Sequence, residues 1–530
     1  MIIVKDGLIV DGTGKPGFTG DVVIDGDKIV DVIPSQSHNP TISQSHNLTI
    51  SQSHNSRLID AAGCIVSPGF IDAHSHSDAY LVIEPDAPSK LAQGVTTEIN
   101  GQCGGSVAPR YGEARLSSDW AALLGERLTW RSLAEYRDVL AVAKPAINTI
   151  QFVGHNTLRS SVVGYAGREA TPGEMREMVR LLEKSLDEGG WGLTTGLIYQ
   201  PGKYSTPEEV VTLAKAAARR GGFYATHMRS EGDNIIEAID EVLDLVKATG
   251  IRAEISHLKT SGKRNWHKID AVLEKLEHAI SDGLLLGSDR YPYCAAGTDL
   301  DVVFPDWAGE GAAKAECQRL ADPATRARIV AEINASGRDW SQVMIGGTWH
   351  EDNKKFSGKI VADILDGMTP GEFVCSILEK DGCKTGAFFF GMSEDNLAKI
   401  YSRPWIVPGS DASLRAPWGP LGADHPHPRA YGTMPEFYRR VRALGSTREE
   451  AIRRMTGAVA ERFDIRGRGI IEKGAFADIA IWREDEFAST ATYLNPHQFA
   501  SGVKCVIVNG SIPYRDGSFT GDRAGRLLAH

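Results

Sequence analysis

The chain has 530 residues, 42% of them hydrophobic and 24% charged, and a formal net charge of −10. That length suits several domains, or one large barrel with an accessory domain, and the apolar share suits a globular enzyme with a sizeable core. The acidic balance excludes an electrostatic footprint for nucleic acid or for an anionic membrane surface.

The opening "IIVKDGLIVDGTG" carries charges and turn glycines where a secretory signal would need an apolar stretch. No run of about 18 apolar residues is present to cross a membrane. The seven cysteines are sparse, odd in number and without CxxC spacing, which fits a reducing compartment. The expectation is a cytoplasmic protein without nucleic-acid or membrane partners.

Residues 1–65 read as short strands around tight turns. "IIVKDGLIVDG" and "DVVIDGDKIVDVI" place Asp-Gly between β-rich runs, a hairpin signal. Between them and "RLIDAAGCIVSPGF" lies "SQSHNPTISQSHNLTISQSHNS", residues 35–56, with His38, His46 and His54 each in the same five letters. Its composition is too polar to build a core, and ligating histidines need orienting partners. It reads as a solvent loop lengthened by duplication. The glycan-acceptor pattern at Asn47–Thr49 has no secretory signal to give it meaning.

Over residues 66–465 the texture becomes an alternation. Apolar strands such as "NTIQFVGH", "GGFYATHM", "IRAEISHLK" and "RPWIVPGSD" alternate with amphipathic helical runs such as "TPGEMREMVRLLEKSLDEGG" and "NIIEAIDEVLDLVKATG". Several runs open on Thr-Pro or close on Gly, as helices do. This is the pattern of an α/β fold with a parallel sheet, and polar residues at the strand ends point to a (β/α)8 barrel. The rhythm is interrupted over about 298–385. From 466 to 530 the β texture returns, and the two β-rich ends are expected to pair as a small β-sandwich.

The chemistry-bearing residues follow strands. "GFIDAHSHSD" places His74 and His76 two apart, "INGQCGGS" gives Cys103, "THMRSEG" His227, "EISHLK" His257 and "IVPGSDAS" Asp411. A lone strand-end histidine is more often a hydrogen-bonded structural residue, and a lone cysteine a small buried hydrophobe. The ordered set, each member at a strand end, points instead to a metal site.

That ordered set, with "VSPGFIDAHSHSD", "GVTTEINGQCGGSVAP", "GLIYQPG", "DRYPY", "HPHPRAYGT" and "KGAFADIAIW", resembles the amidohydrolase superfamily, and within it the D-aminoacylases (N-acyl-D-amino-acid deacylases). The resemblance spans nearly the whole chain. It implies a zinc-dependent hydrolase of N-acyl-D-amino acids on a (β/α)8 barrel. Tight Zn²⁺ would be held by Cys103, His227 and His257, and a weaker or partly filled position would lie near His74, His76 and Asp411. Dihydroorotases and hydantoinases bridge their metals with a carbamylated lysine, and the comparable strand "NTIQFVGHNTLR" has none. A cyclic-amide hydrolase of that kind and a non-catalytic binding scaffold are the alternatives.

The same resemblance makes Asp411 the general base and acid. Lys259, Tyr291 and Arg429 are expected to receive the substrate carboxylate, with Tyr293 close enough to Tyr291 for the register to slip. Tyr199 is expected to line the side-chain pocket. Lys259, two residues beyond His257, is placed on the same face of an extended chain.

Overall fold

The structure is a computed structural model and describes residues 1–35, 57–116 and 118–530. Eight parallel strands form the central ring, in chain order Phe70–Asp72, Val95–Asn100, Asn148–Gln151 with its continuation Val153–Gly154, Gly192–Gly196, Phe223–His227, Ala253–Ile255, Leu286–Arg290 and Ile406–Pro408. Neighbours pair in parallel register, for example Gly196 opposite His227 and Ile255 opposite Ser288. The ring closes where Ala73 N–H donates to the Pro408 carbonyl at 3.2 Å and Asp411 N–H donates to the His74 carbonyl at 2.8 Å. Ile71, Ile99, Ile150 and Val407 turn apolar side chains into one buried cluster with Phe152 and Phe463. This is the (β/α)8 barrel that the alternation implies.

Local sequence explains where the helices begin and end. Thr171 caps the helix Pro172–Asp187 in a reciprocal box with Glu174, Thr206 caps Pro207–Arg219, and Gly250 ends Ile235–Thr249 with φ of 66°. Such caps are worth about 1 kcal/mol each. The inward faces, Leu181, Leu182, Leu213, Ile239 and Val242 among them, are buried against the barrel.

The chain ends do pair. Ile479–Trp482 runs antiparallel to Ile65–Pro68, which joins the N-terminal strands Ile2–Ile9, Phe18–Asp25 and Lys28–Pro34 to Val503–Val508 and Ser511–Arg515 in one sheet path. Both halves enclose a common core of Val4, Val22, Val66, Ile479, Ile481 and Ile507. The Ser-Gln-Ser-His-Asn repeat, apart from Ser35, lies outside the described residues.

The interruption is a compact α+β unit. Its strands Ala296–Asp299, Gly386–Phe389 and Val343–Ile345 form an antiparallel sheet, with helices Ala312–Ala321, Pro323–Ala335 and Pro370–Asp381 around a core of its own that includes Leu300, Leu320, Ile329 and Phe373.

Candidate metal centre

All six metal-competent residues of the sequence reach one rim, at the C-terminal ends of the barrel strands. His227 closes its strand, while His74, Cys103, His257 and Asp411 lie two or three residues past theirs. Cys103, His257 and Asp411 adopt φ of 52°, 39° and 50°. Side chains other than glycine rarely accept that region, and such strain concentrates where a site demands it. Here the left-handed turns swing three donors inward from three different strands.

Two groups of donor atoms result: His74, His76, Cys103 and Asp411, and Cys103, His227 and His257, each with its atoms within 4.8 Å of one another. Cys103 belongs to both. Its Sγ lies 3.4 Å from His74 Nε2 and 3.4 Å from His257 Nε2. Asp411 Oδ1 lies 3.0 Å from His76 Nε2 and 3.3 Å from His74 Nε2.

The electrostatics follow from interleaved opposite charges. Burial pushes the Cys103 thiol up, but the His74 and His257 charges outweigh it and hold the group well below its usual range. Burial likewise raises Asp411, yet Arg429 and His257 carry it well below the ordinary carboxylate range. His76 rises to about 9 and His257 to about 10, because the anions around them overcome the cost of burying a charged ring.

A divalent cation fits this set. Both ring nitrogens of His227 are buried without a hydrogen-bond partner among the described residues, a cost that a metal bond removes. Thiolate, imidazole and carboxylate together are donors suited to zinc. The outer nitrogens of two rings already have partners: His74 Nδ1 is 3.1 Å from Asp289 Oδ2, and His257 Nδ1 is 2.9 Å from Glu231 Oε1. That leaves each Nε2 facing the cluster, the arrangement that orients a ligating histidine.

Asp289 and Glu231 went unassigned from sequence. Asp289 also accepts the His257 N–H at 3.0 Å. Both sit in the motifs "DRYPY" and "THMRSEG", and their position beside strand-end residues was the available signal.

Lys259, Tyr291 and Arg429 come together. The Arg429 guanidinium stands 4.6 Å and the Lys259 ammonium 5.8 Å from the Tyr291 ring centre. Burial raises the Tyr291 phenol, and Lys259, Arg290 and Arg429 reverse that to a net lowering. Tyr293 instead turns its hydroxyl to Ser489 Oγ at 3.4 Å. The route by which Lys259 arrives differs from the expectation: His257 is in a left-handed turn, and Lys259 folds back so that Nζ lies 2.8 Å from His257 Nδ1. Arg429 donates to Asp411 Oδ2 at 2.7 Å and to the Gly297 carbonyl at 3.2 Å. His427 of "HPHPR" is structural: its Nε2–H donates to the Ala295 carbonyl at 3.0 Å, and its Nδ1 accepts from Arg429 N–H at 3.0 Å. Tyr199 packs against the His227 ring at 5.0 Å. His76, Tyr199, Asp411 and Arg429 line a cleft of about 1260 Å³, whose far wall includes Thr298 and Phe388 of the inserted unit.

A barrel rim that gathers thiolate, imidazoles and a carboxylate around one cleft defines a metal-dependent hydrolase type of site. The sequence pattern of the amidohydrolase family matches residues 57–349 and 381–514, leaving out part of the inserted unit. A D-aminoacylase of Alcaligenes xylosoxydans xylosoxydans is 31% identical over 100% of this chain and 97% of its own length. A D-aminoacylase structure that addresses the functional role of its binuclear metal centre superposes with a TM-score of 0.81 at 31% identity, over 100% of this chain and 99% of that one. An N-acyl-D-glutamate deacylase of Bordetella bronchiseptica, solved with zinc and a phosphonate inhibitor, does so with a TM-score of 0.81 at 29% identity, over 100% and 99% of the two chains. The chain belongs to the amidohydrolase family, in its D-aminoacylase branch.

Proposed function

We propose that the protein hydrolyses the amide bond of N-acyl-D-amino acids, releasing a carboxylate and a free D-amino acid, with zinc as its metal. The observation that carries the reading is the Cys103 thiol at 3.4 Å from imidazoles of two different strand ends, beside an ion-paired, partly buried carboxylate. The preference for the D configuration comes from the relatives. The chain divides in this reading into a barrel over 66–465, with the insertion at about 298–385, and a sandwich from 1–65 and 466–530.

Cys103, His227 and His257 would hold one ion tightly, and His74, His76 and Asp411, sharing Cys103, a second more weakly. Zn²⁺ held there supplies a Lewis acid that polarises a carbonyl and acidifies water. Asp411 handles the proton. Kept ionised by the Arg429 guanidinium beside it, its carboxylate accepts a proton from the attacking water and returns it to the leaving nitrogen. Arg429 Nη1 fixes Oδ2, so Oδ1 stays turned toward His74 and His76.

The substrate carboxylate needs cationic and phenolic donors. Lys259, Tyr291 and Arg429 supply them, and Arg429 Nε is buried without a partner among the described residues. Tyr199, beside the metal ligand His227, forms the wall against the amino-acid side chain. The dihydroorotase or hydantoinase alternative loses ground because Asn148–Gln151 and Val153–Gly154 carry no lysine. A mere scaffold has no use for three strained donors. Elemental analysis, followed by amine release from a panel of N-acetyl-D- and N-acetyl-L-amino acids, tests the reading. Zinc with D-selective release is expected; a metal-free protein, or zinc-loaded protein that opens only cyclic amides, refutes it.

A further inference from the structure

We propose that Glu231 is a positioning residue, which sets the donor face of His257 and the place of Lys259 at once. The inference rests on the reading that His257 helps to hold zinc. Glu231 is four residues past His227, on the loop after that strand, and its backbone carbonyl accepts the Ser261 N–H at 2.7 Å. The loop is latched again where Asn265 Nδ2 donates to Asp233 Oδ1 at 2.9 Å. Glu231 is therefore held against the following loop, which carries His257 and Lys259.

Oε1 lies 2.9 Å from His257 Nδ1 and also pairs closely with Lys259 Nζ, while Oε2 lies 3.6 Å from His227 Nε2. The Nε2 atom of His257 faces Cys103 Sγ. For Nε2 to offer its lone pair, the ring proton must sit on Nδ1, and the other nitrogen's partner decides this. Lys259 Nζ, 2.8 Å from the same Nδ1, is a second donor in that place. Two donors so close repel, and the one carboxylate that accepts from both holds them together. Without it, the ammonium would donate to Nδ1, and the ring proton would move to Nε2, onto the face turned toward the thiolate.

The one carboxylate thus couples metal capture to substrate capture. It selects the tautomer that frees Nε2, and it parks the ammonium 5.8 Å from the Tyr291 ring centre, where an incoming carboxylate can take it.

The test compares zinc-loaded wild type with Glu231→Gln in competition against a chelator, a readout that needs no turnover. Zinc binding weakened by about 10–100-fold is expected. At saturating zinc, KM for an N-acetyl-D-amino acid should rise about tenfold, the size of a lost charged hydrogen bond, with a smaller fall in kcat. Zinc affinity equal to wild type overturns the proposal. Lys259→Met serves as a second variant should Glu231→Gln fail to fold: it keeps the bond from Glu231 to His257, so zinc affinity should stay at the wild-type value while KM rises. A zinc loss in Lys259→Met overturns the proposal too. Wild-type protein that binds no zinc would instead sink the metal-centre reading itself, which separates the two failures.

Discussion

Replacing Lys90 by methionine takes an ammonium out of a pocket that is closed to water. Lys90, Asp72 and Glu98 are 1%, 1% and 0% exposed. Lys90 Nζ lies 2.7 Å from Asp72 Oδ2 and 3.4 Å from Glu98 Oε2, and it donates to Ser75 Oγ, Ser410 Oγ and the Ala412 carbonyl at 3.0, 3.1 and 3.1 Å. Methionine fills a similar volume but leaves two buried carboxylates without their cation. Breaking such a pair from one side costs about 3–5 kcal/mol, a large share of the roughly 5–15 kcal/mol that holds a domain folded. The effect reaches the rim as well. Asp72 accepts from Ser410 N–H at 2.8 Å and Ser410 Oγ–H at 2.6 Å, and the next residue is the strained Asp411. Loosening that turn displaces Asp411, and in the proposed mechanism a shift near 1 Å costs roughly 10² in rate. Urea unfolding of the zinc-loaded protein measures the first effect and kcat the second. Adding Asp72→Asn to the variant removes one stranded charge and should recover part of the lost stability. A loss below about 1 kcal/mol with unchanged kcat would refute the account of this pocket.

Cys103→Ala should lose zinc and activity together, because Sγ is the donor common to both ligand groups; full zinc content in that variant contradicts the assignment. Asp411→Ala should keep zinc on Cys103, His227 and His257 yet lose kcat by roughly 10² or more, and near-normal turnover would remove Asp411 from the mechanism. Zinc binding should strengthen as pH rises from 6 to 8. In the metal-free protein His76 and His257 titrate at about 9 and about 10, so both are charged across that range and must give up protons to become ligands. Calorimetry in buffers of different ionisation enthalpy should show at least one proton released per ion; none released contradicts the pairing.

The six candidate donors were legible because each is a chemically distinctive residue at the end of an apolar strand, and His74-x-His76 marks the first of them by spacing alone. Lys259 was found for a partly mistaken reason. The sequence suggests an extended chain, whereas the left-handed turn at His257 folds the lysine back. Glu231, Asp289 and Lys90 were passed over because isolated charges next to strands and loops follow no period, and burial decides whether they matter. The ion pair between Arg429 and Asp411 depends on a turn eighteen residues long in chain distance, which no local pattern encodes. Within the insertion, Ala296–Asp299 pairs with Gly386–Phe389 across a long stretch of chain, so its sheet could be seen only as a loss of rhythm.

The inserted unit keeps its own core and meets the barrel's working rim through side chains, such as Lys203 with Asp306 and Phe388 with His427, and through the carbonyls of Ala295 and Gly297, which receive His427 and Arg429. Main-chain acceptors survive almost any change of side chain. Side-chain changes across this cover would therefore reshape what the cleft admits while leaving these two backbone anchors of the rim in place.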